Sequence, residues 1–510
     1  MKYDTIIING IVATASDAGK YSIAIKDGKI ASLAAKFPLE DLEGAQIIDA
    51  EGAFVTPGGI DAHVHISQDL NTDASAGGRC ADNFETGSRS AVAGGTTTMI
   101  SFATQERSQK SFLDVVKDYN DKAESTGSYI DYSYHLIITR ADKDVVEQEL
   151  PVVIGDWGIS SVKLFMTYEA MRLRDGELLD VMLEAKKNKI TTMIHAENGD
   201  LIDWLTGKLE EKGWTEPYYH GHARIPIVEG EATNRAIVLS ELVQNPILFV
   251  HVSASSATEV IRKAQSRGLP IYAETCPQYL HLTWEDLKQF HSPTCFENSK
   301  LICSPPPGPD DSDQEFLWTG LRNGTFTIYS SDHCPFRYDD PRGKMLGILD
   351  HEESMKGHFA YIPNGCPGIE TRLPLLFNYG VLTGRIPIEK FVELTATNPA
   401  KLYGLYPKKG AFKPGVSDAD ITIWYPEGRI EPFKLTNDHL HHDVDYTPYE
   451  GFEFQNWPRY TLLRGKVMWK EGSLVGKPRD GNYIKRGPSF FRDRTQHSKK
   501  DPRRVAQWLL

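Results

Sequence analysis

The sequence predicts a (β/α)8 barrel, an α/β fold, joined to a smaller β-sandwich domain built from both chain ends. Three observations carry that prediction. Between Pro57 and about residue 400, eight mostly apolar β-runs alternate with helical stretches, the rhythm of a parallel sheet covered by helices. Short strands with tight-turn signals occupy the segments before and after this region. The chain has 510 residues, enough for one large barrel and a second, smaller body. A doubly wound open sheet is the competing layout for the alternating region.

Residues 1–56 read as the first part of the β domain. Apolar runs at 6–10 and 23–30 surround the turn signals Asn9-Gly10 and Asp27-Gly28, and runs at 47–50 and 53–55 follow. The barrel, 57–405, draws its strands from 59–66, 96–102, 130–138, 162–166, 191–196, 247–252, 271–275 and 326–330. Helices are expected at 84–93, 112–124, 177–187, 231–244, 257–266 and 313–322. Gly94-Gly95 and Gly268 stand where helix stops belong. Residues 406–475 return to strands, clearest at 420–424 and 461–469, and complete the β domain. Residues 476–510, rich in Lys and Arg with Gly and Pro, read as an extended arm expected in oligomer contacts.

Composition excludes several classes of function. Hydrophobic residues make up 40% and charged residues 25%, the balance of a globular protein. A net charge of −13 argues against a broad nucleic-acid surface. No apolar run approaches the length of a membrane span, and the N-terminus lacks the pattern of a signal peptide. The six cysteines contain no C-x-x-C pair and read as reduced thiols of a cytoplasmic protein.

The chemistry is concentrated at strand ends. The first run carries His63 and His65, whose i, i+2 spacing puts both on one face of a strand. The fourth carries Lys163, the fifth ends in His195, the sixth in His251, and Asp332 follows the eighth. Taken singly, each has an ordinary use: a core or surface histidine, a helix cap for Asp332, a snorkelling amine for Lys163. Taken together, on parallel barrel strands, they converge on the C-terminal mouth, where barrel active sites lie. Imidazole and carboxylate ligands without thiolate suit Zn²⁺, with Mn²⁺, Co²⁺ or Fe²⁺ as alternatives. Four His and one Asp divide more naturally between two ions than around one. A protonated Lys163 cannot ligate; a carbamate formed by CO₂ capture would behave as a long bridging carboxylate.

The motif Gly58-Gly59-Ile60-Asp61-Ala62-His63-Val64-His65 resembles the first metal motif of the amidohydrolase superfamily. Ser161-Val162-Lys163-Leu164-Phe165-Met166-Thr167-Tyr168 resembles the carboxylated-lysine strand of dihydropyrimidinases and hydantoinases. Met193-Ile194-His195-Ala196-Glu197-Asn198-Gly199, Val250-His251-Val252-Ser253, Tyr272-Ala273-Glu274-Thr275 and Ser330-Ser331-Asp332-His333-Cys334 are similar to motifs of the same group. The resemblance runs from about residue 4 to 475. The stretch 229–235, read as β-rich, and the tail look most like the fungal dihydropyrimidinases.

The resemblance implies two Zn²⁺ ions per subunit: His63, His65 and Asp332 on one, His195 and His251 on the other, and N6-carboxylated Lys163 between them. It implies that Tyr168 stabilises the oxyanion, that Asp332 shuttles the proton, and that Ser304 and Asn364 bind a cyclic amide largely through backbone groups. The implied reaction opens 5,6-dihydrouracil or 5,6-dihydrothymine to N-carbamoyl-β-amino acids in reductive pyrimidine catabolism, and hydantoins to N-carbamoyl-α-amino acids. The implied assembly is a homo-oligomer, dimer or tetramer. Two loops depart from the family pattern. Ile66-Ser67-Gln68-Asp69 replaces a Met-Pro-Phe-type sequence after His65, and Pro307-Gly308 follows Pro306 where Leu-Arg is common. Ser67, in place of the arginine of dihydroorotases, argues against a carboxylated ring. Two alternatives stay open: a hydantoinase with little dihydropyrimidine activity, and a non-catalytic scaffold related to these enzymes.

Overall fold

Eight parallel strands form a single sheet in the computed structural model, which describes residues 3–70, 78–288, 296–349 and 357–491. In chain order they are β1 (Gly59–Val64), β2 (Thr96–Thr104), β3 (Asp131–Ile137), β4 (Ser161–Phe165), β5 (Thr191–His195), β6 (Ile247–Phe249), β7 (Ile271–Thr275) and β8 (Ile328–Tyr329). Consecutive strands pair along the whole series. The two ends of the sheet meet just beyond β8, where the His65 amide donates to the His333 carbonyl at 2.7 Å. That contact closes the barrel and decides against an open sheet. Every described residue of β1, β3, β4 and β5 is buried, which is why these strands read as continuous apolar runs without alternation.

The barrel interior is filled by Ile60, Ala62, Ile100, Phe102, Ile137, Met193, Leu248 and Ile328. A buried ion pair ties its seam. Arg372 Nε lies 3.3 Å from Asp61, and the Asp61 carboxylate accepts from the Ser331 amide at 3.1 Å. The helices follow their strands as expected at Phe84–Ala93, Phe112–Thr126, Asp175–Lys187, Ser255–Ser266 and Asp311–Asn323. Asn83 caps the first through the Glu85 and Thr86 amides. Gly95 and Gly268 adopt φ of +86° and +77° at the helix stops.

Three local features differ from expectation. The helix Lys143–Trp157 was not anticipated, because Pro151 interrupts its pattern; its buried face is Val146, Leu150 and Val153. The stretch 229–235 is not β-structure but lies within the helix Pro226–Val243. Pro226 starts that helix, and buried Val228, Ala232, Ala236, Ile237 and Ser240 recur at the three-to-four spacing of one helix face. Asn9-Gly10 is not a turn but a bulge inside the strand Thr5–Ala13. Asn9 takes φ of 57°, and a Cβ on Gly10 would stand 2.6 Å from Val55 Cγ2, so the strand kinks there without ending. Asp27-Gly28 is a hairpin turn, with both residues at positive φ.

The second sheet has nine strands and draws on both chain ends. Thr5–Ala13, Ala18–Lys26, Lys29–Ala34, Gln46–Asp49 and Phe54–Pro57 join Ile421–Trp424, Pro458–Leu463, Lys466–Lys470 and Ser473–Leu474 through the antiparallel pairing of Phe54–Pro57 with Ile421–Trp424. It is fastened to the barrel by Trp424 stacked on Phe377 at 3.9 Å. Buried Lys409 also joins the two bodies, its amine within 3.1 Å of Asp131, Asp418 and Asp420.

The described part of the arm packs against the barrel. The Ile484 amide donates to the Tyr132 carbonyl, and Phe491 stacks on Tyr272 at 5.4 Å. Arg486 is buried beneath the strands, donating to Ser133 Oγ at 2.9 Å, Ser161 Oγ at 2.8 Å and the Tyr134 carbonyl. Through Phe491 the arm is therefore a floor for the barrel; the rest of the expected oligomer arm, 492–510, lies outside the described residues.

Candidate active site

The strand ends open into a cavity of about 490 Å³ lined by His65, Lys163, Tyr168, His195, His251, Ser304, Asp332 and Asn364. His63 stands immediately behind, fully buried, with Nε2 2.8 Å from Lys163 Nζ and 3.0 Å from Asp332 Oδ1. His65 Nε2 lies 3.7 Å from the same oxygen. Ligating atoms of His63, His65 and Asp332 all lie within 4.8 Å of one another. His195 and His251 form a second pair, ring centroids 4.4 Å apart, and His251 meets His63 at 5.3 Å. The six residues singled out from the strand ends thus come together around one point.

The backbone is strained where the side chains must turn inward. Tyr168, His251 and Asp332 have φ of 64°, 39° and 50°, a region that L-residues occupy at a cost of ~1–3 kcal/mol. Each follows a barrel strand, where leaving the β-conformation aims a side chain across the mouth.

Carboxylates and an amide behind the histidines fix the rings. Glu274 Oε1 holds His63 Nδ1 at 2.6 Å and also accepts from the His251 amide at 3.1 Å. Gln68 Oε1 meets His65 Nδ1 at 2.9 Å, while its Nε2 donates to the Phe102 carbonyl at 2.7 Å. Glu197 Oε2 accepts from His195 Nε2 at 2.7 Å. In each case one ring nitrogen is held by the protein, the arrangement that orients metal-binding imidazoles. Among the described residues, buried His251 Nδ1 has no hydrogen-bond partner. This donor set, with one buried imidazole nitrogen unpaired, fits a metal centre.

Electrostatics agree at most of these groups, although His63, in spite of its burial and the Lys163 charge, is raised above the usual imidazole value by the Glu274 and Asp332 carboxylates. Burial pushes the Lys163 amine down to about 8, against the attraction of Asp332 and Glu274; its Nζ sits 4.5 Å from the Phe102 ring and 4.9 Å from the Phe165 ring. Burial would raise the Asp332 carboxyl, but the charge and hydrogen bond of His63, with His65 and Lys163, hold it at about 2. Burial holds His65 and His251 well below the usual imidazole range, so both are neutral, as ligands must be.

Tyr168, Asn364 and Ser304 supply further polar groups to the cavity lining. Asn364 Nδ2 donates to Tyr168 Oη at 3.0 Å. Burial raises the Tyr168 phenol to about 12, so it stays a hydrogen-bond donor. Ser304 Oγ donates to Glu197 at 2.6 Å, and Arg224 donates to both Glu197 and Ser304 at 2.8 and 2.7 Å. The Arg224 guanidinium lies 5.1 Å from the Tyr168 ring. Glu197, Glu274, Gln68 and Arg224 were not singled out from the sequence. Glu197 and Glu274 stand inside quoted strand-end motifs, a signal that was present. Arg224 carried none, because its partners are 27 and 80 residues away along the chain.

Residues 54–468 match the amidohydrolase family. The chain belongs to this family. It is 41% identical to the D-hydantoinase of Ralstonia pickettii over 486 residues, 95% of this chain and 99% of that one. Among solved structures, a D-hydantoinase crystal structure superposes with a TM-score of 0.87 at 40% identity, covering 95% of this chain and 99% of that one. A dihydropyrimidinase from Brevibacillus agri NCHU1002 superposes with a TM-score of 0.86 at 36% identity, with coverage of 95% and 99%. The likeness spans barrel and second sheet alike, and the chain is an enzyme of the cyclic amidohydrolase type. Among the described residues, no helix is long and apolar enough to cross a membrane.

Proposed function

We propose that the protein hydrolytically opens cyclic amides that carry an imide nitrogen. Its substrates on this reading are 5,6-dihydrouracil and 5,6-dihydrothymine, opened to N-carbamoyl-β-amino acids in reductive pyrimidine catabolism, together with hydantoins. The observation that carries the reading is the presence of two sets of groups in one cavity. Lys163, His65, His195, His251 and Asp332 line it together with Tyr168, Ser304 and Asn364. The first set suits hydrolysis, and the second suits a small planar ring with amide groups at its edge.

His63, His65 and Asp332 would hold one zinc ion, His195 and His251 a second, with carboxylated Lys163 between them. When bound, two zinc ions acidify a water to hydroxide near neutral pH and polarise the ring carbonyl. The chain's own groups do the rest. Backbone groups at Ser304 and Asn364 orient the imide edge. The water oxygen bonds to the carbonyl carbon, and the Tyr168 phenol donates to the developing oxyanion. Asp332, ionised at neutral pH, takes the water's proton and hands it to the ring nitrogen as the carbon–nitrogen bond breaks. Glu197 and Arg224 keep the Ser304 side chain and the His195 ring in place during the reaction.

A second reading, hydantoin opening with little dihydropyrimidine activity, is favoured by the D-hydantoinase names of the relatives. The test is ring opening of dihydrouracil, hydantoin, dihydroorotate and allantoin in parallel, with metal counted per chain. Dihydrouracil loss with two zincs per chain is the expected result. Activity on hydantoin alone would favour the second reading, and no activity without metal would favour the scaffold. On the same reading the protein is a cytoplasmic homo-oligomer, consistent with free thiols at Cys80, Cys276, Cys303, Cys334 and Cys366.

A further inference from the structure

Lys344 is fully buried, yet no carboxylate pairs with it among the described residues. Its three ammonium protons go instead to three backbone carbonyls: Pro363 at 2.7 Å, Gly365 at 2.8 Å and Ile302 at 2.9 Å. These carbonyls belong to two loops. Ile302 precedes Cys303-Ser304, and Pro363 and Gly365 flank Asn364. The loops also touch directly, the Gly365 amide donating to the Ile302 carbonyl at 3.0 Å. Lys344 therefore completes a joint whose other surface carries Ser304 and Asn364 into the cavity.

A lysine is an expensive device for this purpose. Burying an ammonium costs several kcal/mol unless every proton is matched. Here all three are matched, and by acceptors that must otherwise find partners themselves. The other groups near the amine are the Phe336 ring, 5.8 Å away, and the thiols of Cys303, Cys334 and Cys366. The amine's own backbone is fixed. The Lys344 amide donates to the Arg337 carbonyl at 2.8 Å, and a Cβ on Gly343 would stand 2.1 Å from that oxygen.

We infer that Lys344 is a positioning residue: its ammonium sets the spacing between the Ser304 and Asn364 loops, and with it the fit of the substrate ring. The inference rests on the proposed function for the claim that these loops bind substrate. The coupling of the two loops stands apart from it. Lys344→Met keeps length and removes the donors. Lys344→Gln keeps a donor amide, and carries the test if the Met variant fails to fold.

The experiment compares hydrogen exchange, KM and kcat of both variants with the metal-loaded full-length protein. The expected result is faster exchange in peptides covering 301–306 and 362–367. It is accompanied by a KM raised about tenfold or more with kcat little changed, the pattern of lost ground-state binding; Gln falls between Met and wild type, and metal content is unaltered. Unchanged exchange in both peptides overturns the inference. So does faster exchange with unchanged KM, because the joint would then not reach the substrate. If the wild type opens no ring, the functional reading fails, while exchange alone still decides whether Lys344 couples the loops.

Discussion

Replacing Glu197 by Gln tests how the site is held together. One oxygen of Glu197 receives three donors: Ser304 Oγ at 2.6 Å, His195 Nε2 at 2.7 Å and Arg224 at 2.8 Å. Burial alone would raise this carboxyl, yet the Arg224 charge and the His195 and Ser304 hydrogen bonds bring it to about 2, against an ordinary 4.5. Each tenfold in acidity is worth ~1.4 kcal/mol, so the ionised form contributes about 3 kcal/mol to the folded state. A folded carboxyl more acidic than the unfolded one gives stability that is present above pH 4.5 and is lost as pH falls toward 2. The amide in Glu197→Gln cannot satisfy all three donors, and it leaves Arg224 buried without a counter-charge. The variant is expected to unfold several degrees lower at pH 7, with a smaller deficit relative to wild type near pH 3. Loss of the acceptor on His195 Nε2 also frees the ring to change tautomer, which lowers metal affinity by about 10–100-fold. Thermal unfolding across pH and metal retention against a chelator read the two effects separately. A variant with wild-type melting temperature and wild-type metal retention would refute the reasoning.

Other perturbations give distinct signatures. Tyr168→Phe should keep its metal and lose about 10²–10³ in kcat, as oxyanion donors do; loss of metal in that variant would mean that the phenol supports the centre and not the substrate. Lys163→Ala should lose metal and activity together, and full zinc content would count against a bridging role. Because burial brings the Lys163 amine down to about 8, its reactive neutral form should rise from about 3% at pH ~6.5 to about 75% at pH ~8.5. Metal uptake by apo-protein with bicarbonate should accelerate correspondingly, and a flat profile would remove carboxylation from the account. Arg486→Met should lower the melting temperature by a few degrees through the acceptors it strands beneath β3 and β4; an unchanged value would show that the arm does not brace the barrel.

The parts legible in the sequence were those encoded locally. Strand ends announce themselves because a polar, ionisable residue at the edge of an apolar run is chemically out of place, and four histidines, Lys163 and Asp332 so placed on one barrel leave little freedom in where they meet. The supporting network was not legible. Arg224 reaches Ser304 across 80 residues, and Lys409 reaches Asp131 across 278; periodicity carries no information at that range. Local signals also misled where tertiary context overrode them. Asn9-Gly10 has the chemistry of a turn, but the partner strand continues past it, so the strained residue is absorbed as a bulge. Pro151 has the chemistry of a break, but the buried stripe on either side keeps the helix intact.

Three buried lysines show how the fold decides what an amine does. Lys409 faces Asp131, Asp418 and Asp420, which hold its pKa above the ordinary value in spite of burial, and it serves as a permanent cation between barrel and sheet. Lys344 faces three carbonyls that use all its protons without matching its charge, which suits a fixed joint and no chemistry. Lys163 has aromatic rings near it on Phe102 and Phe165 and, among the described residues, one hydrogen-bond partner, the His63 Nε2 at 2.8 Å. Carboxylates near it are engaged by His63, so their attraction does not offset burial, which brings the amine down to about 8. Among these three described lysines, the surroundings complete the hydrogen-bonding of the ammonium at Lys409 and Lys344 and leave it incomplete at Lys163, which is what the proposed carboxylation requires.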